Sequence, residues 1–384
     1  MRILALTWKH PLDSTAGGAE RYLLEVCRRW ATAGHEVAIF GPRDPLAHRV
    51  PPDLQIEGLQ YVGQGSRLTV FRFAKRYLNR KGHLYDRVLE TVSTRPFAAH
   101  RVVGNKAVAL YHQTAEEVWN LEFPPPVALL GRHLLEPLWI RQMRPARVVA
   151  NSPSTARALQ RFGVQCAAIV PPGCDAPKSI AARSSPSRQP NLLWIGRMVR
   201  TKRPQDAMSA MGHIRAQCPG ATLHMIGGGY LHAQLSKSMP AGVTIHGPLA
   251  ERDKCGLLAR ADLLLLPGTS EGWGIVAMEA AAYGVPVVAY DIAGVRDAVV
   301  DGMTGVLVDP RPAALATAAC RLLSDPNMWR RLSAAARERA LTYSWDRCAM
   351  DLLGCFIAPS TSAEHEPCTS GQHPSHPWSP TATE

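Results

Sequence analysis

The stretch Glu271-Gly-Trp-Gly-Ile-Val-Ala-Met-Glu279 decides how the rest of the chain is read. Two carboxylates are separated by seven residues, with two glycines between them. Before them runs Ala261-Asp-Leu-Leu-Leu-Leu-Pro267, an apolar run of strand length ended by proline. After them come Ala280-Ala-Ala-Tyr283 and Gly284-Val-Pro-Val-Val-Ala289: a helix tail, a glycine stop and a second buried strand. Glu271 falls in the loop and Glu279 in the helix's first turns. The N–H groups of Gly274, Ile275 and Val276 then lie at a helix start, where the dipole favours an anion. Glycine lets such a backbone approach a ligand closely. Carboxylates accept hydrogen bonds from hydroxyls, which sugars supply. A diphosphate with a sugar at each end matches all three features. The spacing of the two glutamates alone is equally that of a capped helix with exposed acids, so the neighbouring segments must decide.

The chain has 384 residues, enough for two domains with separate cores. Its 46% apolar and 19% charged content is that of a soluble globular protein. No apolar run reaches the ~18 residues that cross a bilayer, and Met1-Arg-Ile-Leu-Ala-Leu-Thr7 runs straight into a first strand. Nine scattered cysteines without C-x-x-C spacing are expected as reduced thiols of a cytoplasmic protein. A formal charge of +12 admits nucleic acid, an anionic membrane or phosphorylated substrates. No nucleic-acid motif accompanies it, so phosphate or peripheral membrane contact is preferred.

From the N-terminus, a strand leads to the loop Lys9–Ala16. Gly17-Gly-Ala-Glu-Arg-Tyr-Leu-Leu-Glu-Val26 then opens a helix, and Glu36–Phe40 forms the next strand. The glycine pair lacks the full G-x-G-x-x-G and reads as a tight turn or a ligand-approach loop. Arg67–Arg87 interleaves Leu68, Val70 and Phe71 with Arg72, Lys75 and Arg76, as a basic amphipathic helix does; it suits an anionic bilayer or the solvated face of a packed helix. Ala107–Gln113 is a strand carrying His112 at its carboxyl end, where open α/β sheets bind ligands. Glu116, Glu117 and Glu122 follow. Pro124-Pro-Pro126 is expected to break the chain before a helix over Leu129–Met143, and Asn151-Ser-Pro-Ser-Thr to cap the next one. A second α/β series starts at Asn191, after a Ser-, Arg- and Pro-rich stretch. Residues 358–384 have the composition of a disordered tail.

Together these segments resemble the retaining GT-B glycosyltransferases of family 4. The likeness is carried by Gly17-Gly-Ala-Glu20, Gly196-Arg197…Lys202, Gly227-Gly-Gly229, Glu271-x7-Glu279 and Gly302-x-x-Gly-x-Leu307. Tyr111-His-Gln…Glu117-Val-Trp119 looks like a subgroup common in actinobacteria. The resemblance implies an α/β fold of two Rossmann-like, doubly wound domains facing a cleft: an acceptor domain over 1–172, a linker over 173–190, a nucleotide-sugar domain over 191–345 and a crossing helix over 346–357. It implies that Arg197 and Lys202 neutralise the diphosphate, Glu271 holds the donor sugar and Glu279 the ribose. It places Ile275 and Val276, with Gly274, on phosphate, and His112 beside the reacting sugar. Gly17 and Gly18 form the loop over phosphate and acceptor. Leu249 falls where the family's backbone meets the base, although Pro248 has no N–H to offer there.

Two fixed cations stabilise a leaving diphosphate, and no D-x-D occurs in the chain, so neither a metal nor a cofactor is expected beyond the nucleoside-diphosphate sugar itself. Retention of anomeric configuration is the implied outcome. UDP is preferred as the base carrier. For the acceptor, Glu116 and Glu117 suggest a small cationic molecule such as an aminocyclitol of an aminoglycoside pathway, whereas the basic segment suggests a membrane glycolipid. The reading from another class is an inactive scaffold binding anionic surfaces; the intact pairs Arg197/Lys202 and Glu271/Glu279 speak against it.

Overall fold

The computed structural model describes residues 1–11, 13, 16–43, 53–56, 59–177 and 183–357. The expected tail over 358–384 and part of the expected linker lie outside these residues. The N-terminal half holds β1 (Arg2–Leu6), β2 (Glu36–Gly41), β3 (Asp53–Ile56), β4 (Leu59–Gly63), β5 (Arg87–Val92), β6 (Ala107–Tyr111), β7 (Arg147–Ala150) and β8 (Cys166–Ile169). They form one sheet in the order β3-β4-β2-β1-β5-β6-β7-β8. All neighbours run parallel except the edge strand β3, which is antiparallel to β4. The C-terminal half holds β9 (Asn191–Ile195), β10 (Thr222–Ile226), β11 (Val243–Gly247), β12 (Leu263–Leu266), β13 (Val287–Tyr290) and β14 (Gly305–Val308). Their order is β11-β10-β9-β12-β13-β14, parallel throughout.

Central parallel strands are covered on both faces, so their sequences are continuously apolar. Leu263–Leu266 is buried at every position. In both sheets the strand order reverses beside the first strand of the half, at β1/β5 and at β9/β12. Crevices at such switch points, outside the carboxyl ends of the strands, are where open α/β sheets bind ligands.

The C-terminal helix Trp345–Gly354 returns to the N-terminal half. Ser344 caps it by accepting the N–H of Arg347 at 3.1 Å. Its buried side, with Trp345, Ala349 and Leu352, packs on α1 (Gly18–Thr32), where the Trp30 indole donates to the carbonyl of Ala349 at 2.9 Å. This is the expected crossing helix, beginning one residue earlier than expected and ending at Gly354 rather than at 357.

Other expectations needed correction. The helix expected over Arg67–Arg87 is α2 (Val70–Lys81); Gly82 ends it and Arg87 opens β5. The helical run expected from Leu129 begins at Pro125, because prolines at the first helical positions forfeit no intrahelical bond. Eight described cysteines are free thiols. No described helix is long and apolar enough to cross a membrane.

Candidate active site

The loop between β12 and the helix Ile275–Ala282 carries Glu271 to the junction of the two halves. Gly274 precedes that helix with φ +94°, a left-handed conformation that costs glycine nothing. The N–H groups of Gly274, Ile275 and Val276 make no hydrogen bond among the described residues. They are the orphan donors of a helix start. Gly272 is pressed against the opposite half: a Cβ there would lie 2.0 Å from the carbonyl oxygen of His112 and 3.1 Å from Asn151 Nδ2.

His112 directly follows β6 and is buried beside Tyr22, with ring centres 5.4 Å apart. Its Nε2 has no partner among the described residues, and neither does the buried Oδ1 of Asn151. Burial pulls the imidazole down to about 4, so it is neutral near pH 7. Two unsatisfied polar atoms thus sit at the contact between Gly272 and the ends of β6 and β7, a site that a polar ligand would satisfy.

The cations converge from both sides. Lys202 Nζ donates to Glu271 Oε2 at 2.7 Å and to the carbonyl of Ser270 at 2.9 Å. Arg197 is exposed and forms no ion pair among the described residues; its Nε would lie 3.8 Å from a Cβ at Gly17. Gly17 is fixed by its own N–H donating to Glu20 Oε2 at 2.8 Å. A Cβ on Gly18 would lie 3.0 Å from Ile275 Cδ1, so the glycine loop rests on the start of the helix. Lys9, at the end of β1, is brought down to about 8 by burial, with Glu20 opposing and Arg197 and Arg67 adding to the effect.

Glu279 is 6% exposed and bound on two sides. Arg21 of α1 pairs with its Oε1, and Lys254 donates to Oε1 and Oε2 at 3.1 and 3.2 Å. Burial opposes the charge on Arg21, and Glu279, Glu251 and Asp175 outweigh it, holding the guanidinium above its ordinary range. Leu249 is partly buried against the core of the C-terminal half.

Arg197, Lys202, Glu271, Gly274–Val276, Gly17, Gly18 and His112 therefore meet in one place, with Glu279 one helical turn along. Glu116 and Glu117 are engaged elsewhere. Glu116 pairs with Arg161, and Glu117 with Arg132 at 3.1 Å. Glu122 reaches across the junction, accepting the N–H of Thr201 at 2.9 Å and the Tyr230 hydroxyl at 2.5 Å. Sequence reasoning missed Arg21, Lys9 and Asn151. Arg21 sits inside the quoted glycine motif and was read only as part of a helix. Asn151 was read only as part of a capping segment, within which Ser152 does the capping by accepting the N–H of Thr155 at 3.1 Å.

The model for "Glycosyltransferase Family 4" matches residues 16–177, and that for "Glycosyl transferases group 1" matches residues 175–339. The chain is a glycosyltransferase. Glycogen synthase of Mycobacterium tuberculosis is 28% identical over 396 residues to this glycosyltransferase, covering 93% of it and 95% of the relative. D-inositol 3-phosphate glycosyltransferase of Xylanimonas cellulosilytica is 28% identical, covering 90% and 94%. Among solved structures, sucrose-phosphate synthase from Thermosynechococcus elongatus superposes with a TM-score of 0.75 at 21% identity, covering 93% of the glycosyltransferase and 98% of that chain. HepE of Anabaena, solved with UDP and glucose, gives 0.70 at 18% identity, covering 93% and 99%. These two likenesses establish the GT-B fold of the enzyme.

Proposed function

We propose that the enzyme transfers a hexosyl or amino-sugar group from a nucleoside-diphosphate sugar to an acceptor hydroxyl, with retention of configuration and without a metal or further cofactor. The observation that carries this reading is the convergence of free helix-start N–H groups, Arg197 and Lys202 on the same junction as Glu271 and His112. The diphosphate takes the N–H groups and the two cations. The donor sugar's hydroxyls bond to Glu271, and the ribose hydroxyls to Glu279. The bond from the anomeric carbon to the phosphate oxygen breaks as the acceptor oxygen bonds the same face. The acceptor's proton passes to the leaving phosphate oxygen, so no protein nucleophile is needed. Neutral His112 serves as a hydrogen-bonding neighbour of the sugar.

UDP is the preferred carrier; the UDP in HepE supports it. The acceptor enters from the N-terminal half, beside Lys9 and Asn151. A small soluble acceptor, with an aminocyclitol as the first to try, would have to exchange the arginine partners of Glu116 and Glu117 for its own amines. A lipid-borne acceptor is the second reading, favoured by the exposed leucines beside the loop after His112. The test is incubation with a panel of nucleotide sugars and both acceptor classes, with product mass and anomeric NMR as readouts. An α-linked product from an α-linked donor supports the reading; inversion, or no product from any donor, refutes it.

A further inference from the structure

One face of the N-terminal sheet carries two neighbouring helical segments with unlike outer surfaces. Val88 and Val92, four residues apart on β5, point to the same side of the sheet. Val88 packs in the cluster beneath α2, and Val92 in the cluster beneath Ile140 and Met143. Arg95 joins the two: its guanidinium lies 4.5 Å from the centre of the Phe71 ring on α2 and 5.9 Å from that of Trp139.

The helical run 125–141 buries Ala128 and Gly131 against Trp119, and Ile140 against the sheet. Its other side shows Val127, Leu130, Leu134 and Leu138 at 46–52% exposure and Leu129 at 64%. Alongside, α2 buries Val70, Ala74, Tyr77 and Leu78 and turns Arg72, Lys75, Arg76 and Arg80 outward. None of these four has an acidic partner among the described residues. Leu68, 87% exposed, stands at the entry to α2. The result is an aliphatic ridge flanked by unpaired cations.

We propose that this face docks on an anionic lipid bilayer, with the leucines entering the interface and the α2 cations on headgroup phosphates. Aliphatic side chains ringed by Arg and Lys are the composition of an interfacial membrane contact. A second copy of the chain fits the face poorly, because a symmetric pairing sets α2 cations against each other. Glu136 ties the ridge to the cleft. It accepts the N–H of Ala115, that of Glu116 at 3.1 Å and the Trp119 indole at 2.8 Å, and so fixes the loop that follows His112. Docking therefore sets the acceptor side of the cleft against the bilayer, and it does not depend on which donor or acceptor the enzyme uses.

The test is co-sedimentation of the full chain with phosphatidylcholine vesicles, with and without phosphatidylglycerol. The chain should pellet only with the anionic vesicles, and less as salt rises. Arg72→Glu with Arg76→Glu should weaken pelleting at least about tenfold, and Leu130→Ser with Leu134→Ser should weaken it comparably while the melting curve stays cooperative. If the serine pair does not fold, Leu138→Gln alone takes its place. Absence of pelleting, pelleting indifferent to the leucines, or a solution dimer that the serine pair dissociates would each overturn the proposal.

Discussion

Arg21 and Glu279 form an ion pair that joins the first helix of one half to the donor-side helix of the other. The arginine lies three residues beyond Gly18 of the glycine loop, so the loop, the helix start and the carboxylate assigned to the ribose are held as one unit. Lys254 braces the same carboxylate from within the C-terminal half.

Removing the arginine should loosen that carboxylate without emptying the site. Arg21→Ala is expected to raise KM for the nucleotide sugar about tenfold, in line with the ~1.5–3 kcal/mol of a charge-assisted hydrogen bond, with a smaller effect on kcat. Steady-state kinetics at varied donor checks this; an unchanged KM would show that the pair only ties the halves together.

In the proposed mechanism Glu271 and Lys202 act on the reacting end. Both side chains are only about one-fifth exposed, and the cost of desolvating the two charges offsets much of the attraction in their ion pair. Lys202→Ala and Glu271→Ala should each lower kcat by roughly a hundredfold or more while the thermal melting point moves by only a few degrees. Full turnover in both variants would remove the roles assigned to them.

The contact of Gly272 with His112 is a steric requirement for closing the cleft. An added methyl would lie 2.0 Å from a backbone oxygen, which cannot move aside as a side-chain end can. Gly272→Ala should hold the halves apart, abolish transfer and leave both sheets folded. Small-angle scattering against the parent protein reads the opening directly.

These relationships divide into what was legible in the chain and what was not. Leu263–Leu266, Gly274 and the glutamates around it announce themselves locally, because strand length, a left-handed glycine and a helix start are short-range matters. The same holds for the crossing helix, marked by its Ser344 cap. Arg21 and Asn151 acquire meaning only when the second half arrives, since Glu279 and Gly272 lie more than a hundred residues away, and Lys9 when folding brings Glu20, Arg67 and Arg197 around it. Glu116 and Glu117 show the converse: acids beside a cleft histidine look available in sequence, but Arg161 and Arg132 fold back onto them.

The buried imidazole sets a pH dependence. Held near 4 when folded and near 6.5 when unfolded, His112 binds its proton more readily in the unfolded chain between those values. Its contribution is therefore fully present above pH 6.5 and is lost as pH falls towards 4, by roughly 3 kcal/mol in all. Glu90, raised to about 7 by burial against the pull of the Ala99 and Ala98 N–H groups, acts in the opposite sense: its folded form keeps the proton longer, so its contribution is lost as pH rises from about 4.5 to 7. Denaturant melts of the parent and His112→Gln across pH 4–7 separate the two. The difference between the proteins should change with pH, while the share due to Glu90 stays common to both.

The claim beneath all of this is that the junction grips a nucleoside diphosphate by Arg197 and Lys202. Calorimetric titration with UDP and with GDP tests it most directly. One of the two should bind the parent chain with measurable heat and lose at least about tenfold in affinity in Arg197→Ala and again in Lys202→Ala. Failure of both nucleotides to bind, or binding that neither substitution weakens, would contradict it.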